Sequence, residues 1–402
     1  MKAYWLSAAA LALASCAAEQ SLPGQETAPV MAPMPTVSQS MPDTMASLDP
    51  ADSILFWSDE RRSAAFRDME ALFAGLEVSP APYPRQLVRG QPLDEATAAM
   101  ARSFMAETSA AGLMVLRDGK VSFEEYRLGM KPQDRWTSFS VAKSFTSTLL
   151  GAAIKDGHIE SVETQVTEII PALAGTAYDG VTVGQIAAMT SGVAWNEDYT
   201  DPDSDVAKML AVTPVEGESQ AVTYARTLRR EAPAGEKWVY KTLETNLLGL
   251  IVEEATGRSL AAYAAEKIVT PAGFAGSLFW MQDLTGGNIG GCCVSLTLGD
   301  YARFGQFVLE GGKGTVPAGW FDVAGSPIVD FAPRAPGYGY GYQWWTYPGG
   351  TFGAQGIFGQ AITIVPEKDI VVAVISNWPT ATSSDNRSEF QALVRQISIN
   401  AR

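Results

Sequence analysis

Three side chains in this sequence have types and positions that could activate a serine. In Ser140-Val141-Ala142-Lys143 a hydroxyl and an amine stand three residues apart at the start of an apolar-periodic stretch, so on a helix they project from nearly the same face. An ordinary lysine, with a pKa of about 10.4, is neutral in only about one molecule in 2,500 at pH 7. To take a proton from serine it must lose about 3 units, a shift that burial supplies. The pattern Ser-x-x-Lys occurs once in the chain, and alone it reads more readily as a serine helix cap and a surface lysine. A second element is Trp238-Val239-Tyr240-Lys241-Thr242, an extended segment meeting a helix that begins Leu243-Glu244-Thr245-Asn246. A tyrosine at such a junction can reach a cleft, where a neighbouring ammonium would acidify its phenol and let it relay the serine proton. Without further context Tyr240 is as readily a packing residue.

Other chemistries are poorly supplied. The single histidine, His158, follows Asp156-Gly157 at a helix exit, and a Ser-His-Asp triad would have to be built on it. No Gly-x-Ser-x-Gly elbow occurs, and one histidine does not make a His-based zinc site. No metal or organic cofactor is called for. Asp201-x-Asp203-x-Asp205 begins like a calcium loop, but Val206 and Val212 occupy the Gly and Glu positions of that motif, which leaves a solvated acidic loop. The net charge of −15 and the lack of a Lys/Arg cluster argue against nucleic acid as a partner.

With 402 residues and 47% hydrophobic content, the chain can build one sizeable catalytic domain in two lobes. Residues 1–15 read as an export signal: Met1-Lys2, a short apolar run from Leu6 to Ala14, then Leu13-Ala14-Ser15-Cys16. The run is far below the roughly 20 residues that span a bilayer. Residues 16–52 are rich in Pro, Ser, Gln, Met and Thr without apolar period, which predicts a flexible tether. The folded domain is expected over 53–402. Two apolar runs about Asp118-Gly119 predict a hairpin in Ala111 to Gly129, and the stripe Leu149, Leu150, Ala153 and Ile154 predicts a helix from Ser140 to Ile154. The stretch from about 159 to 290 reads as an α-rich lobe with helices at Thr242 to Thr256 and Leu260 to Ile268. Strand patterns return at Gly341 to Tyr347, Gly359 to Val365 and Ile370 to Ser376, before a last helix around Ser388 to Ile399. The expected fold is α/β (α+β): an antiparallel sheet assembled from about 104–158 and 291–402, flanked by helices, with the α-rich lobe inserted. Cys292 and Cys293 are expected to be two buried free thiols, and Tyr338 to Trp345 a core strand with one cleft-facing residue.

Ser140-Val141-Ala142-Lys143, Tyr240-Lys241-Thr242 and the run Leu247 to Gly257 together resemble the class C β-lactamase, penicillin-binding-protein and family VIII esterase superfamily. Within it the likeness is strongest to the 6-aminohexanoate-dimer hydrolases, the nylon-oligomer amidases, through Met189-Thr190-Ser191-Gly192, Asn196 to Pro202 and Gly356-Ile357-Phe358-Gly359-Gln360. The likeness runs from about Phe104 to the C-terminus and implies a β-lactamase/transpeptidase-like fold. It implies that Ser140 is acylated, Lys143 assists its deprotonation and Tyr240 passes the proton to the leaving group. It implies an oxyanion hole from the backbone N–H groups of Ser140 and Ala354, a substrate contact at Tyr199, and a cleft lined by Lys241, Thr242, Gly353 and Gln360. Leu13-Ala14-Ser15-Cys16 likewise resembles the bacterial lipobox, which implies lipid on Cys16 and a membrane-anchored lipoprotein facing the periplasm.

Two departures from the superfamily matter. Thr351-Phe352-Gly353 stands where β-lactamases and cell-wall peptidases carry Lys-Thr-Gly, so the lysine that pairs with a substrate carboxylate is absent. Thr242 replaces the Asn of Tyr-x-Asn. The expected function is therefore serine hydrolysis of a small neutral or unusual amide or ester. A β-lactamase or D,D-peptidase is the enzymatic rival, and a noncatalytic ligand-binding envelope lipoprotein the rival of another kind. The oligomeric state is not legible.

Overall fold

The computed structural model describes residues 33–47 and 52–400; the expected export signal and Cys16 lie outside them. Eight antiparallel strands form the larger sheet. One end of it is the hairpin β3 (Ala110–Arg117) and β4 (Lys120–Tyr126), with β4 at the edge, followed by β13 (Ile370–Ser376) and β12 (Ala361–Val365). Beyond them follow β11 (Phe352–Gln355), β10 (Trp345–Thr346), β9 (Gly339–Tyr340) and β8 (Val329–Asp330), giving the order β4-β3-β13-β12-β11-β10-β9-β8. Asp118 and Gly119 turn the first hairpin, both at positive φ, as the sequence predicts.

β13 shows why its sequence lacks alternation. Ile370, Val372 and Val374 pack with Phe104, Phe390 and Leu393 of α1 (Glu95–Glu107) and α5 (Ser384–Ile399). Val371, Ala373 and Ile375 belong to the core that holds Phe304 and Phe307 of α4 (Leu298–Leu309). A strand covered on both faces needs apolar residues at every position. Of the predicted strand from Gly341 to Tyr347 only β10 forms, because Gly341 to Trp344 turn between β9 and β10, with Gln343 at φ 62°.

A smaller antiparallel sheet has the order β1-β2-β6-β7-β5. Its strands are β1 (Val37–Ser40), β2 (Gly75–Val78), β5 (Arg135–Thr137), β6 (Leu278–Met281) and β7 (Val294–Thr297). Two of them correct the sequence reading. β6 lies inside the stretch expected to be helical, and β1 inside the expected tether. β1 is mostly exposed and is held by its ladder to β2 and by the Gln39 amide, which donates to Gly75 O and Gln282 Oε1. Such a strand leaves no hydrophobic period to read.

Between the sheets, α2 (Ala142–Lys155) packs on α3 (Thr242–Thr256). The Leu260 helix continues as one π-helical turn, Ala265–Val269. His158 is exposed beyond the far end of α2, about 20 Å along the helix from Ser140.

The turn joining β11 to β12 has one position that only glycine fits. Gly359 has φ 97°, and a Cβ there would collide with the Trp378 indole. Gly359→Ala is expected to cost about 2 kcal/mol or more, read as a lowered Tm in thermal unfolding of the intact domain.

Candidate active site

Ser140 is presented by a sharp turn. β5 ends at Thr137, and a 3-10 turn at Phe139–Val141 leads into α2. Phe139 takes φ 43°, a conformation of order 1–3 kcal/mol above the ordinary basins. Its ring is held edge-on by Phe66 at 4.9 Å and tilted against Phe358 at 5.5 Å. Ser138 N–H donates to Val294 O, and Ser138 Oγ accepts from Val294 N–H, so β7 clamps the residue before the turn. The strained phenylalanine is thus fixed from both sides, and the next hydroxyl is aimed at a cleft.

Lys143 lies one helical step on and is buried. Its Nζ stands 3.1 Å from Ser140 Oγ, 3.0 Å from Thr242 Oγ1 and 2.8 Å from Gly291 O. Burial pushes its pKa down to about 8, against the opposing pull of the Glu197 carboxylate. Tyr240 comes from the segment before α3; its ring centroid is 5.2 Å from Lys143 Nζ, and its hydroxyl is close enough to Ser140 to feel that group. The ring stacks on Trp345 at 5.6 Å and meets Tyr340 edge-on at 6.1 Å. Of the Tyr338 to Trp345 aromatics, Tyr340 and Trp344 are buried while Trp345 lines the cleft.

The expected acidified phenol is corrected here. Burial pushes the Tyr240 hydroxyl far above the usual phenol range and Glu197 pushes it further, outweighing the opposing effects of Ser140 and Arg387. Tyr240 is therefore held in its neutral, protonated form, while burial moves Lys143 toward its neutral form.

Ser140 sits between two hollows. One, of about 130 Å³, is apolar, with Leu55, Phe73, Phe139, Met209 and Ile357 in its wall. The other, of about 600 Å³, is lined by Glu197, Tyr199, Tyr240, Trp345 and Arg387. Tyr199 and Thr242 are therefore placed at the cleft as the sequence suggests. Gln360 is not: its buried amide donates to Ile357 O and Ser376 O and accepts from Ser376 N–H, fixing the β11–β12 turn from behind. Lys241 is buried in an ion pair with Glu244 and lines neither hollow. Gly353 and Ala354 are ladder residues of β11, paired with Thr363 and Ile362, and the wall at Ser140 is made instead by Gln355, Gly356 and Ile357. The sulfurs of Cys292 and Cys293 are bonded as a vicinal disulfide in the apolar wall, where free thiols were expected.

Two functional residues escaped the sequence. Glu197 accepts from Trp195 Nε1, Thr242 N–H, Thr242 Oγ1–H and Tyr199 O–H. The motif Asn196 to Pro202 contained it, but nothing marked its contact with α3, 45 residues on. Arg387, on α5, lies over Trp378 at 4.8 Å and donates from Nη2 to Gly356 O. Its Nη1 has no hydrogen-bond partner among the described residues, and no ion pair satisfies it. Burial pushes its pKa down to about 10, so it keeps its charge. The cation lost with Thr351 is thus present in the cleft from a different element.

A buried Ser-Lys-Tyr set of this kind has the groups that acyl transfer to a serine would need. The beta-lactamase family profile matches residues 97–396. The chain belongs to the beta-lactamase family. It is 33% identical over 297 residues to the 6-aminohexanoate-dimer hydrolase of Paenarthrobacter ureafaciens, covering 68% of this chain and 74% of that protein. Among solved structures it is similar to a Bacillus anthracis protein provisionally described as a 6-aminohexanoate-dimer hydrolase, with TM-score 0.76 and 21% identity, over 88% and 98% of the two chains. It also shares its fold with a D-stereospecific amidohydrolase from Streptomyces, with TM-score 0.57 and 20% identity over 74% and 98%. The chain is accordingly a hydrolase of the beta-lactamase family.

Burial holds the Lys143 pKa near 8, so if its neutral amine is the reactive form, activity should rise with pH along a limb centred near pH 8, with about one tenth of the molecules competent at pH 7. The kcat/KM of ester hydrolysis between pH 6 and 9.5 measures that limb.

Proposed function

We propose that the protein hydrolyses small amides or esters through an acyl-enzyme on Ser140. The observation that carries this is the buried Lys143 amine, 3.1 Å from Ser140 Oγ with a pKa near 8. Ser140 Oγ bonds to the carbonyl carbon as its proton passes to Lys143 Nζ. Backbone N–H groups of Ser140 and the end of β11, at or after Ala354, receive the oxyanion. Collapse breaks the C–N or C–O bond, and the leaving atom takes its proton from Tyr240, which is resupplied from the Lys143 ammonium. Water then attacks the Ser140 ester, gives its proton back through the same groups and releases the acid.

Arg387 revises the expectation of a neutral substrate. A guanidinium in the wall of the wider hollow, with its buried Nη1 unpartnered among the described residues, favours substrates that carry an acid group beyond the scissile bond. The 33% identity to a 6-aminohexanoate-dimer hydrolase supports an open-chain amide over a β-lactam or cell-wall peptide. Tyr199 is the substrate-contacting phenol beside Glu197. We also infer that the chain is exported and lipid-anchored at Cys16, from the Leu13-Ala14-Ser15-Cys16 motif.

A fluorophosphonate probe should label Ser140 in the native chain and not in Ser140→Ala, and a panel of amides, esters and β-lactams should show turnover of the open-chain members. Arg387→Met should raise KM about tenfold for acid-bearing substrates and leave their methyl esters unaffected; equal effects on both would overturn the assigned role. Metabolic labelling with palmitate should mark the chain expressed in a bacterium and fail in Cys16→Ser; equal label in both excludes the anchor.

A further inference from the structure

The hydrogen bonds around Lys143 continue past Thr242, and their direction decides whether the amine can act as a base. A neutral amine has two N–H bonds and one lone pair, and Nζ has three neighbours: Ser140 Oγ, Thr242 Oγ1 and Gly291 O. The Gly291 carbonyl can only accept, so it takes one N–H. If Thr242 Oγ1 accepts the other, the lone pair is left facing Ser140. If the Thr242 hydroxyl donated to Nζ instead, the lone pair would be occupied and an N–H would point at Ser140. The base would then be unable to take the serine proton.

Glu197 removes the choice. A carboxylate only accepts, and its Oε1 takes the Thr242 hydroxyl proton while its Oε2 takes the Thr242 backbone N–H at 3.0 Å. That N–H is the first of α3, whose N-cap Lys241 supplies no side-chain cap, so Glu197 caps the helix from outside and gains from its dipole. Trp195 Nε1 and Tyr199 O–H complete four donors around the two oxygens. We propose that Glu197 is a positioning residue for acyl transfer: by holding the Thr242 hydroxyl as a donor to itself, it makes that oxygen accept from Lys143 and turns the amine lone pair toward Ser140. The proposal rests on the Ser140 acyl-enzyme reading and extends it from three residues to a chain, Ser140–Lys143–Thr242–Glu197.

The charged and titratable groups facing Lys143 are few. Glu197 and Tyr199 come from the loop ahead of α3, and Tyr240 from the segment that enters it. Arg387 on α5 acts on Tyr240, and the Lys241–Glu244 pair lies on α3 itself. The negative charge of Glu197 favours the Lys143 ammonium, so its removal should move the titration of Lys143 to lower pH.

The test measures the first-order rate of Ser140 labelling by a fluorophosphonate against pH in the full chain. In Glu197→Gln the amide can present N–H to Thr242 Oγ1, freeing the hydroxyl to reverse. The plateau rate is expected to fall about tenfold or more and the midpoint to shift to lower pH. Thr242→Val should lose a similar factor, the double variant should lose no more than either single, and Thr242→Ser should recover the native midpoint. A merely structural role for Glu197 predicts a lower rate with an unmoved midpoint, or losses that multiply in the double variant; either overturns the proposal. Should Glu197→Gln fail to fold, the contrast between Thr242→Val and Thr242→Ser decides, equal rates in the two overturning it. No labelling of the native chain overturns the acyl-enzyme reading as well, whereas normal labelling with an unmoved Glu197→Gln midpoint overturns this inference alone.

Discussion

Keeping the Lys143 amine out of water is the constraint on which the rest of the site depends. A pKa lowered from 10.5 to about 8 corresponds to about 3 kcal/mol by which the environment disfavours the ammonium. That penalty arises because every residue of α2 from Ala142 to Ala153 is buried, with α3 and the Leu260 helix packed against it. A buried amine still needs hydrogen-bond partners, and these come from three separated places: Ser140 at the helix start, Thr242 on α3 and the Gly291 carbonyl. Each lobe therefore supplies part of the cage, and neither alone could hold a dry, satisfied base.

The same demand explains the motifs around α3 that carry no chemistry of their own. Ser191 donates to Glu244 inside the buried Lys241–Glu244 pair, and Met189 Sδ accepts from Lys241 N–H. Gly192, at φ 75°, lies where a Cβ would strike Ala232 O. These contacts bolt the segment 189–192 to the start of α3, which fixes where Tyr240 and Thr242 emerge. A buried ion pair brings little net stability, but here it sets the position of the residue on either side of it.

How much of this was legible in the sequence follows from the range of each signal. The hairpin at Asp118-Gly119, the helix Thr242–Thr256 and the strand Ile370–Ser376 are written in local turn chemistry and apolar period, and they stand where those patterns put them. Ser140 and Lys143 stood out through the spacing of one short motif and Tyr240 through its place at a strand–helix junction, and the fold brings the three side chains together. β1 was not, since an exposed strand of four residues held by its ladder and one glutamine has no pattern. Gln360 was misplaced because a motif residue can serve the turn rather than the cleft. Glu197 and Arg387 were missed for a different reason: each acts on an element far along the chain, and a lone Glu or Arg has no local signature of such a contact.

The substitutions at 351 and 242 look from sequence like losses, a cation gone and an amide gone, and in three dimensions they are relocations. Arg387 reaches the cleft from α5 rather than from β11, so the positive charge faces the wider hollow beside Trp345 and Tyr240. Thr242 offers Lys143 an oxygen as Asn would, but a hydroxyl can reverse its hydrogen bond where an amide oxygen cannot. A threonine at that position therefore requires a partner that fixes its direction, and the only acidic residue lining either hollow among the described residues, Glu197, is the one bonded to it.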